Sequence, residues 1–325
     1  MYFIVANPRS DEGRTMFHLP MLTALFDGAG IPYDTHITTA PQDAYEKTFA
    51  FCKNVSDIKG VIGIGGDGTI QEIVAGMTAA FPSLQGGKIP VPLGILPSAT
   101  GSDFVSTLEG SKYFAKAKYG KITEEVCRSL FEAVLDRRYR AVDILTAGGM
   151  AFLNLGHLGL DTRIVQNAAA LKQTFGQYAY FAATFKCIAQ HKNIRLSIET
   201  AVEADGDTVG ESASDRREDE YVLVAIANGQ YYGGGMRVCP DAKIDDGKIT
   251  LCRIRAMGSF KAMLVFPPFI LGKHEFLKSV SFMECDSVKI TLPSGAETLC
   301  LDGNLYPCEG EIEFKILPQA LNIFM

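Results

Sequence analysis

The sequence predicts an α/β N-terminal domain built on a parallel sheet, followed by a β-rich C-terminal domain. Three observations carry this reading. Short apolar runs of strand length alternate with helix-period runs through residues 1–138, the rhythm of successive βαβ units. Two turns of small residues, GGDGT (residues 65–69) and ATGSDF (residues 99–104), each follow an apolar run and open a helix-like one. From about Tyr139 the pattern changes to strand-length runs separated by Gly and Asp turns. The expected division is residues 1–138, rejoined by about 310–325, and a second domain of residues 139–309.

The elements follow in order. YFIVA (residues 2–6) is an apolar strand, and NPRSDEGR is its polar exit turn. A helix then extends to about Phe26, with Pro20 either kinking it or marking a late start. PYDTHIT is the second strand, and residues 42–52 form the next helix. Residues 60–64 are short and wholly apolar, as a buried parallel strand requires. Ile70, Ile73, Val74 and Met77 then recur at helical spacing, so a helix is expected over residues 69–80. VPLGILP is the fourth strand, and residues 124–135 form a helix. Beyond Tyr139, YRAVDILTAGG and MAFLNLGHLG read as two strands around a Gly-Gly turn. One long aromatic helix is expected over residues 162–191. Strands are expected at residues 193–200, 221–228, 248–254, 287–292 and 298–301. Residues 205–219 read as an exposed polar loop or hairpin tip, and residues 311–316 as a strand that either domain can use.

Composition narrows the class. The 325 residues allow two domains with substantial cores. With 47% hydrophobic and 21% charged residues the chain is of ordinary globular type. A net charge of −6 argues against a large nucleic-acid-binding face. The eight cysteines are scattered without a C-x-x-C pair, as expected for reduced thiols of a cytoplasmic protein. The N-terminus lacks a basic, apolar leader. The longest apolar run, AMLVFPPFILG, is interrupted by Pro267 and Pro268 and falls short of the ~18 residues of a membrane span. Any membrane contact is therefore expected to be peripheral.

The GGDGT turn carries the strongest chemical signal. A strand-to-helix turn aims free backbone N–H groups and a helix dipole at one point, where a phosphate fits, and glycines let the backbone approach closely. The plainer alternative is a tight turn with Asp67 or Thr69 as cap. The string lacks the G-x-x-x-x-G-K-S/T pattern of a Walker A loop. Gly63, Gly65 and Gly68 do fit G-x-G-x-x-G spacing, but no acidic residue clearly ends a second strand as ribose partner. ATGSDF lies after a neighbouring strand, so both turns are expected at the carboxyl edge of one sheet. CPDAKIDDGKI (residues 239–249) places Asp241, Asp245 and Asp246 near a Gly turn, either as solvated carboxylates or as a hard-cation site. LDGN (residues 301–304) reads as a D-G turn. The five histidines are dispersed, and neither a G-x-S-x-G elbow nor an H-E-x-x-H helix is present.

Taken together and in this order, the motifs resemble the diacylglycerol kinase catalytic-domain family of lipid kinases, related to sphingosine kinases and NAD kinases. ANPRSDEGR is similar to the family's N-P-x-x-G-x-G-R turn. GGDGTIQEI resembles G-G-D-G-T-x-N-E, and LGILPSATGSDF resembles its strand followed by G-T-x-N-D-F. YYGGGMRVCPDAKIDDGKI is similar to the stretch leading into the family's magnesium loop, and LDGN stands where the family has D-G-E. The resemblance implies an NAD-kinase/diacylglycerol-kinase-like fold with two domains around a cleft. It implies an ATP site lined by Asn7, Ser10, Thr38, Gly65, Gly66, Asp67, Gly68, Thr69, Gln71, Glu72 and Thr100, with Thr39 the neighbouring alternative to Thr38. It implies a Mg²⁺ held by the carbonyls of Lys243 and Lys248 and the carboxylate of Asp246. Residues 175–185 and 263–271 would line acyl chains, although either stretch is equally read as core.

The implied activity is ATP-dependent phosphoryl transfer to a hydroxyl of a diacylglycerol-like lipid at the membrane surface. A homodimer is left open. Asp67 would coordinate Mg²⁺ or orient the acceptor. Departures from the family pattern bear on catalysis. Gln71 replaces an Asn, and Ala99 and Ser102 replace Gly and Asn. Asn304 replaces the Glu taken as general base, and an amide accepts no proton near pH 7. Either Asp67 or Asp302 then takes that role, or the chain is a weak or inactive nucleotide- or lipid-binding relative. A sphingoid base or NAD as acceptor is the remaining alternative.

Overall fold

The computed structural model describes residues 1–82, 87–98, 102–108, 124–175, 179–190, 192–202, 214–270 and 272–325. Strand β1 (Tyr2–Ala6) pairs in parallel with β2 (Tyr33–Ile37) and β3 (Gly60–Gly65), and β3 pairs in parallel with β4 (Leu93–Pro97). Helices α1 (Thr15–Gly28), α2 (Asp43–Asn54) and α3 (Asp67–Ala80) cover these strands. After the short helix α4 (Asp103–Thr107) comes α5 (Glu124–Leu135). Phe3, Ile4, Val5, Ile62, Ile64, Ile73, Met77, Leu93 and Leu130 are buried in one core with Phe324 from the far end of the chain. Close packing needs glycine here: a Cβ on Gly63 would stand 2.6 Å from Ile70 Cδ1.

Two of these elements depart from the expected boundaries. Helix α3 begins at Asp67 rather than Thr69, so Gly66 is its N-cap and Gly68 lies inside its first turn. Helix α1 runs through Pro20 without breaking.

The second half is antiparallel. β5 (Tyr139–Ala147) pairs with β6 (Met150–Phe152), and β7 (Leu155–Gly159) pairs with β9 (Ser214–Ala227) and β14 (Ser287–Leu301). The second hairpin strand is thus split in two. The cause is Asp302, whose carboxylate accepts the N–H groups of Leu153, Asn154 and Leu155 and withdraws them from the ladder. The expected long helix resolves into α6 (Leu160–Phe175) and α7 (Ala179–Ala189). β8 (Ile194–Ala201) pairs with β9 as far as Ser214, so residues 214–219 are strand rather than loop. After the β10 (Tyr231–Tyr232) and β11 (Met236–Arg237) hairpin come β12 (Ile249–Arg255), helix α8 (Ser259–Ile270) and β13 (Val280–Cys285). Residues expected as a Pro-broken segment are therefore the body of α8, whose Pro267 and Pro268 fall in its last turn.

β15 (Asn304–Phe324) joins the halves. It pairs with β14 along Asn304–Lys315, and with β5 along Phe314–Phe324. At Ile323 it meets β4 in parallel. The path of strands is β13-β12-β9-β7-β14-β15-β4-β3-β1-β2. Among the described residues, no helix is long and apolar enough to cross a membrane.

Candidate functional site: the cavity at the start of helix α3

The turn after β1 and the turn after β3 are joined at their carboxyl ends. Asn7 N–H donates to Ile64 O at 3.0 Å, and Asn7 Nδ2 donates to Thr69 Oγ1 at 2.9 Å. Asn7 Oδ1 accepts Arg9 N–H at 3.0 Å, which folds the NPRS turn back over the glycines. From the other side, Glu72 Oε1 accepts Gln42 N–H at 3.0 Å, anchoring the start of α2. Burial pushes the Glu72 carboxyl upward in pKa, against the backbone N–H groups that it accepts.

These ties enclose a cavity of about 330 Å³. Of the residues expected at the nucleotide site, Asn7, Ser10, Thr38, Gly66, Gly68, Thr69 and Glu72 line it, and Asn304 lines it from β15. Thr39 lines it as well as Thr38, so both readings of that position reach the cavity. Arg9, Ala40, Pro41 and Ala44 also belong to the wall. Arg9 was not among the expected site residues; its signal was a cationic residue in the NPRS turn. Gly65 lies beneath the wall, its carbonyl accepting Ser98 N–H at 2.9 Å. Thr100 is outside the described residues. No side chain caps α3 at Gly66, so its first-turn N–H groups and dipole are directed at the cavity.

Gln71 and Asp67 are not part of the cavity wall. Gln71 is fully buried, with Nε2 donating to Ala151 O at 2.8 Å. Its Oε1 accepts Asn304 Nδ2 at 2.8 Å and Tyr306 O–H at 3.0 Å. Asn304 Nδ2 also donates to Gly68 O at 2.8 Å. The carbonyls of Ala151 and Gly68 thereby fix both amide orientations.

Three carboxyls lie beneath this turn. Asp67 accepts the N–H groups of Asp103 (2.9 Å) and Phe104 (3.3 Å), tying α3 to α4. Asp103 accepts those of Gly234 (3.0 Å) and Gly235 (2.8 Å), where three successive glycines at positive φ wrap the carboxylate. Asp302 accepts three backbone N–H groups at 2.8–3.1 Å. Burial, then the charges of Asp103 and Asp302, raise the Asp67 pKa above the ordinary carboxyl value of 3.8, against the N–H groups of Asp103 and Phe104 that favour its charge. Burial raises Asp103 also, and pushes Asp302 up to about 6 against the N–H groups that favour its charge. Asp103 was not among the expected site residues. Its signal was the acidic residue that begins the helix opened by the second small-residue turn.

The residues expected to hold Mg²⁺ stand apart from the cavity wall. Asp246 is exposed, with Oδ1 accepting Lys248 N–H at 3.0 Å. Arg140 pairs with Asp245 at 2.8 Å, and Lys248 Nζ with Asp286 at 2.6 Å. Buried Asp143 fastens the loop by accepting Gly247 N–H at 2.8 Å and Gln319 N–H at 2.6 Å. Among the described residues, no cluster of three or more His, Cys, Asp or Glu could hold a metal ion. A site here would combine the Asp246 carboxylate with the carbonyls of Lys243 and Lys248, a hard oxygen set suited to Mg²⁺ or Ca²⁺.

Comparison with known proteins matches both halves in order. Residues 1–147 match the family model described as "Diacylglycerol kinase catalytic domain". Residues 156–325 match "YegS C-terminal NAD kinase beta sandwich-like domain". The chain is 26% identical over 303 residues to "Diacylglycerol kinase" of Bacillus subtilis (strain 168), covering 92% of this chain and 88% of the relative. It is 31% identical over 264 residues to "Probable lipid kinase YegS-like" of Yersinia pestis (strain Pestoides F), covering 80% and 77%. A crystal structure titled as a diacylglycerol kinase from Bacillus anthracis str. Sterne superposes with a TM-score of 0.67 at 23% identity. It covers 99% of this chain and 96% of that one, which supports the likeness of fold. Both halves of the chain thus match in order, and the chain belongs to the family that joins a diacylglycerol kinase catalytic domain to a YegS-type C-terminal domain.

Proposed function

We propose that this protein is an ATP-dependent kinase that phosphorylates a hydroxyl of a diacylglycerol-like lipid. The observation that carries the reading is the cavity at the uncapped start of α3, with Arg9 in its wall. N–H groups and a helix dipole converge there and the wall includes the cationic residue Arg9, which suits a polyphosphate. The names of the relatives support a lipid acceptor. Bound ATP would supply the phosphoryl group, and Mg²⁺ would offset its charge.

Phosphoryl transfer asks the protein chiefly for position and electrostatics. The first turn of α3 and Arg9 hold the phosphates, while Asn7 keeps the two turns together through Thr69. A proton must leave the acceptor hydroxyl. Asn304 cannot take it, because its Nδ2 is spent on Gly68 and Gln71 and an amide is not a base. Asp302 uses both oxygens on three N–H groups. Asp67 accepts a single N–H on each oxygen, which leaves a lone pair on each. We assign the base to Asp67 and a positioning role to Asn304.

The test is transfer of radiolabelled γ-phosphate onto a panel of lipids in mixed micelles, with NAD as control. Labelled product from diacylglycerol is expected. ATP binding without any labelled lipid would favour a non-catalytic binding protein, the reading suggested by an amide at Asn304. Label on NAD alone would overturn the lipid assignment.

A further inference from the structure

Helix α8 is apolar on both its inner and its outer side. Its inner residues Ala262 and Val265 pack with Val222, Leu223, Ile254 and Met257 around a cavity of about 30 Å³. That face is satisfied. The outer face carries Phe260, Met263 and Leu264, spaced as i, i+3 and i+4 and therefore on one side. Phe260 is 80% exposed and Leu264 63% exposed. The return leg after α8 adds Phe276, which is 88% exposed. Arg255 N–H donates to Ser279 O at 2.9 Å, so the helix and its return leg form one loop closed at its base. Phe260 and Phe276 lie close in sequence to that base, on opposite legs.

A helix of a globular domain ordinarily turns charge to water on its outer side. Here the only charged residue of the twelve in α8 is Lys261. The charges that border the apolar residues are mostly positive. Lys261, Lys273 and Lys278 are exposed, against a single acidic residue, Glu275, between positions 259 and 279. The chain as a whole carries −6. Neighbouring His274 is buried, with its pKa lowered by burial, and adds no charge near neutral pH. The loop stands at β12 and β13, the end of the strand path opposite β1 and β2.

Exposed aromatic and aliphatic side chains with an excess of lysines beside them in sequence are the chemistry of an interfacial anchor on an anionic bilayer. We propose that the outer face of α8, together with Phe276, docks this protein on an anionic lipid surface. The occupant follows from charge complementarity: a local excess of lysine on an acidic chain favours lipid phosphates over a second, equally acidic copy of the same chain. The inference deepens the lipid-kinase reading and rests on it for its purpose, since a lipid kinase must reach its acceptor in a membrane.

The test is co-sedimentation with phosphatidylglycerol vesicles and with phosphatidylcholine vesicles, using the full chain. Wild type is expected to sediment with phosphatidylglycerol and at least about tenfold more weakly with phosphatidylcholine. F260S/L264S/F276S and, separately, K261Q/K273Q/K278Q are each expected to lose binding at least about tenfold, with unchanged melting temperature because all six side chains are exposed. Failure of wild type to sediment, or sedimentation of both variants like wild type, overturns the proposal. So does a wild-type dimer that F260S/L264S/F276S converts to monomer without any vesicle binding. Vesicle binding needs no phosphoryl transfer. Docking without transfer would therefore overturn only the kinase reading, and transfer to a short-chain acceptor in micelles without docking would overturn only this one.

Discussion

Asn304 on β15 donates its Nδ2 to Gln71 Oε1 on α3 at 2.8 Å, linking the last strand of the chain to the helix of the glycine turn. The G-G-D-G-T-x-N-E and D-G-E patterns that the sequence resembles carry Asn and Glu at these two positions. Here the helix side is longer by one methylene and the strand side shorter by one, so the span between the two backbones is kept while the charge is removed.

Asn304→Glu alone is therefore expected to destabilise the fold by about 1–3 kcal/mol, because a carboxylate would face the acceptors Gly68 O and Gln71 Oε1 with no proton to give. Gln71→Asn combined with Asn304→Glu is expected to recover at least ~0.5 kcal/mol of that loss. Urea unfolding of the two single variants and the double variant measures the coupling. Strictly additive losses would contradict it.

Much of the first half was legible in the sequence because its strands are short, apolar and separated by helix-period runs. The GGDGT turn declared its place in the same way. The partners of its carboxylates did not. That Asp302 splits a strand at residues 153–155, or that Gly234 and Gly235 wrap Asp103, depends on contacts across more than a hundred positions, and no local spacing records them. The helical state of residues 259–270 was hidden by Pro267 and Pro268, which suggest a break but fall in the final turn. Thr100 lies outside the described residues, as does any structural test of its expected contact. The same holds for the side chains of residues 175–182, 185, 266–267 and 269–271 in the expected acyl linings.

Asp161 is buried, and burial pushes its pKa up to about 7 although the Tyr232 hydroxyl hydrogen-bonds to it. The folded state thus holds this proton more tightly than the unfolded state, whose carboxyl titrates near the ordinary value of 3.8. Between those two values the native form binds more protons, so this group's contribution to stability falls as pH rises. Asp161→Asn keeps an acceptor for Tyr232 and removes the titration. Its stability relative to wild type is expected to rise from pH 4 to pH 8 by on the order of a few kcal/mol. Denaturant titrations at several pH values measure this, and parallel curves would show that Asp161 does not titrate in that window.

Asp246 offers Oδ2 outward from a turn that its Oδ1 already closes. If a cation binds there, a chelator is expected to lower the melting temperature of wild type by several degrees and leave Asp246→Ala unchanged. Added Mg²⁺ should restore wild type only. Melting curves of wild type that do not respond to chelator would make this loop an ordinary turn fastened by Asp143.

The central claim is that the phosphates sit at the first turn of α3 and that Asp67 receives the acceptor's proton. Steady-state transfer from ATP to diacylglycerol by wild type and by Asp67→Asn tests it most directly. The account expects kcat to fall by about 10²–10⁴-fold, the usual contribution of a general base, with ATP affinity changed only a few-fold and the fold intact by melting. An Asp67→Asn enzyme that turns over at the wild-type rate would contradict it.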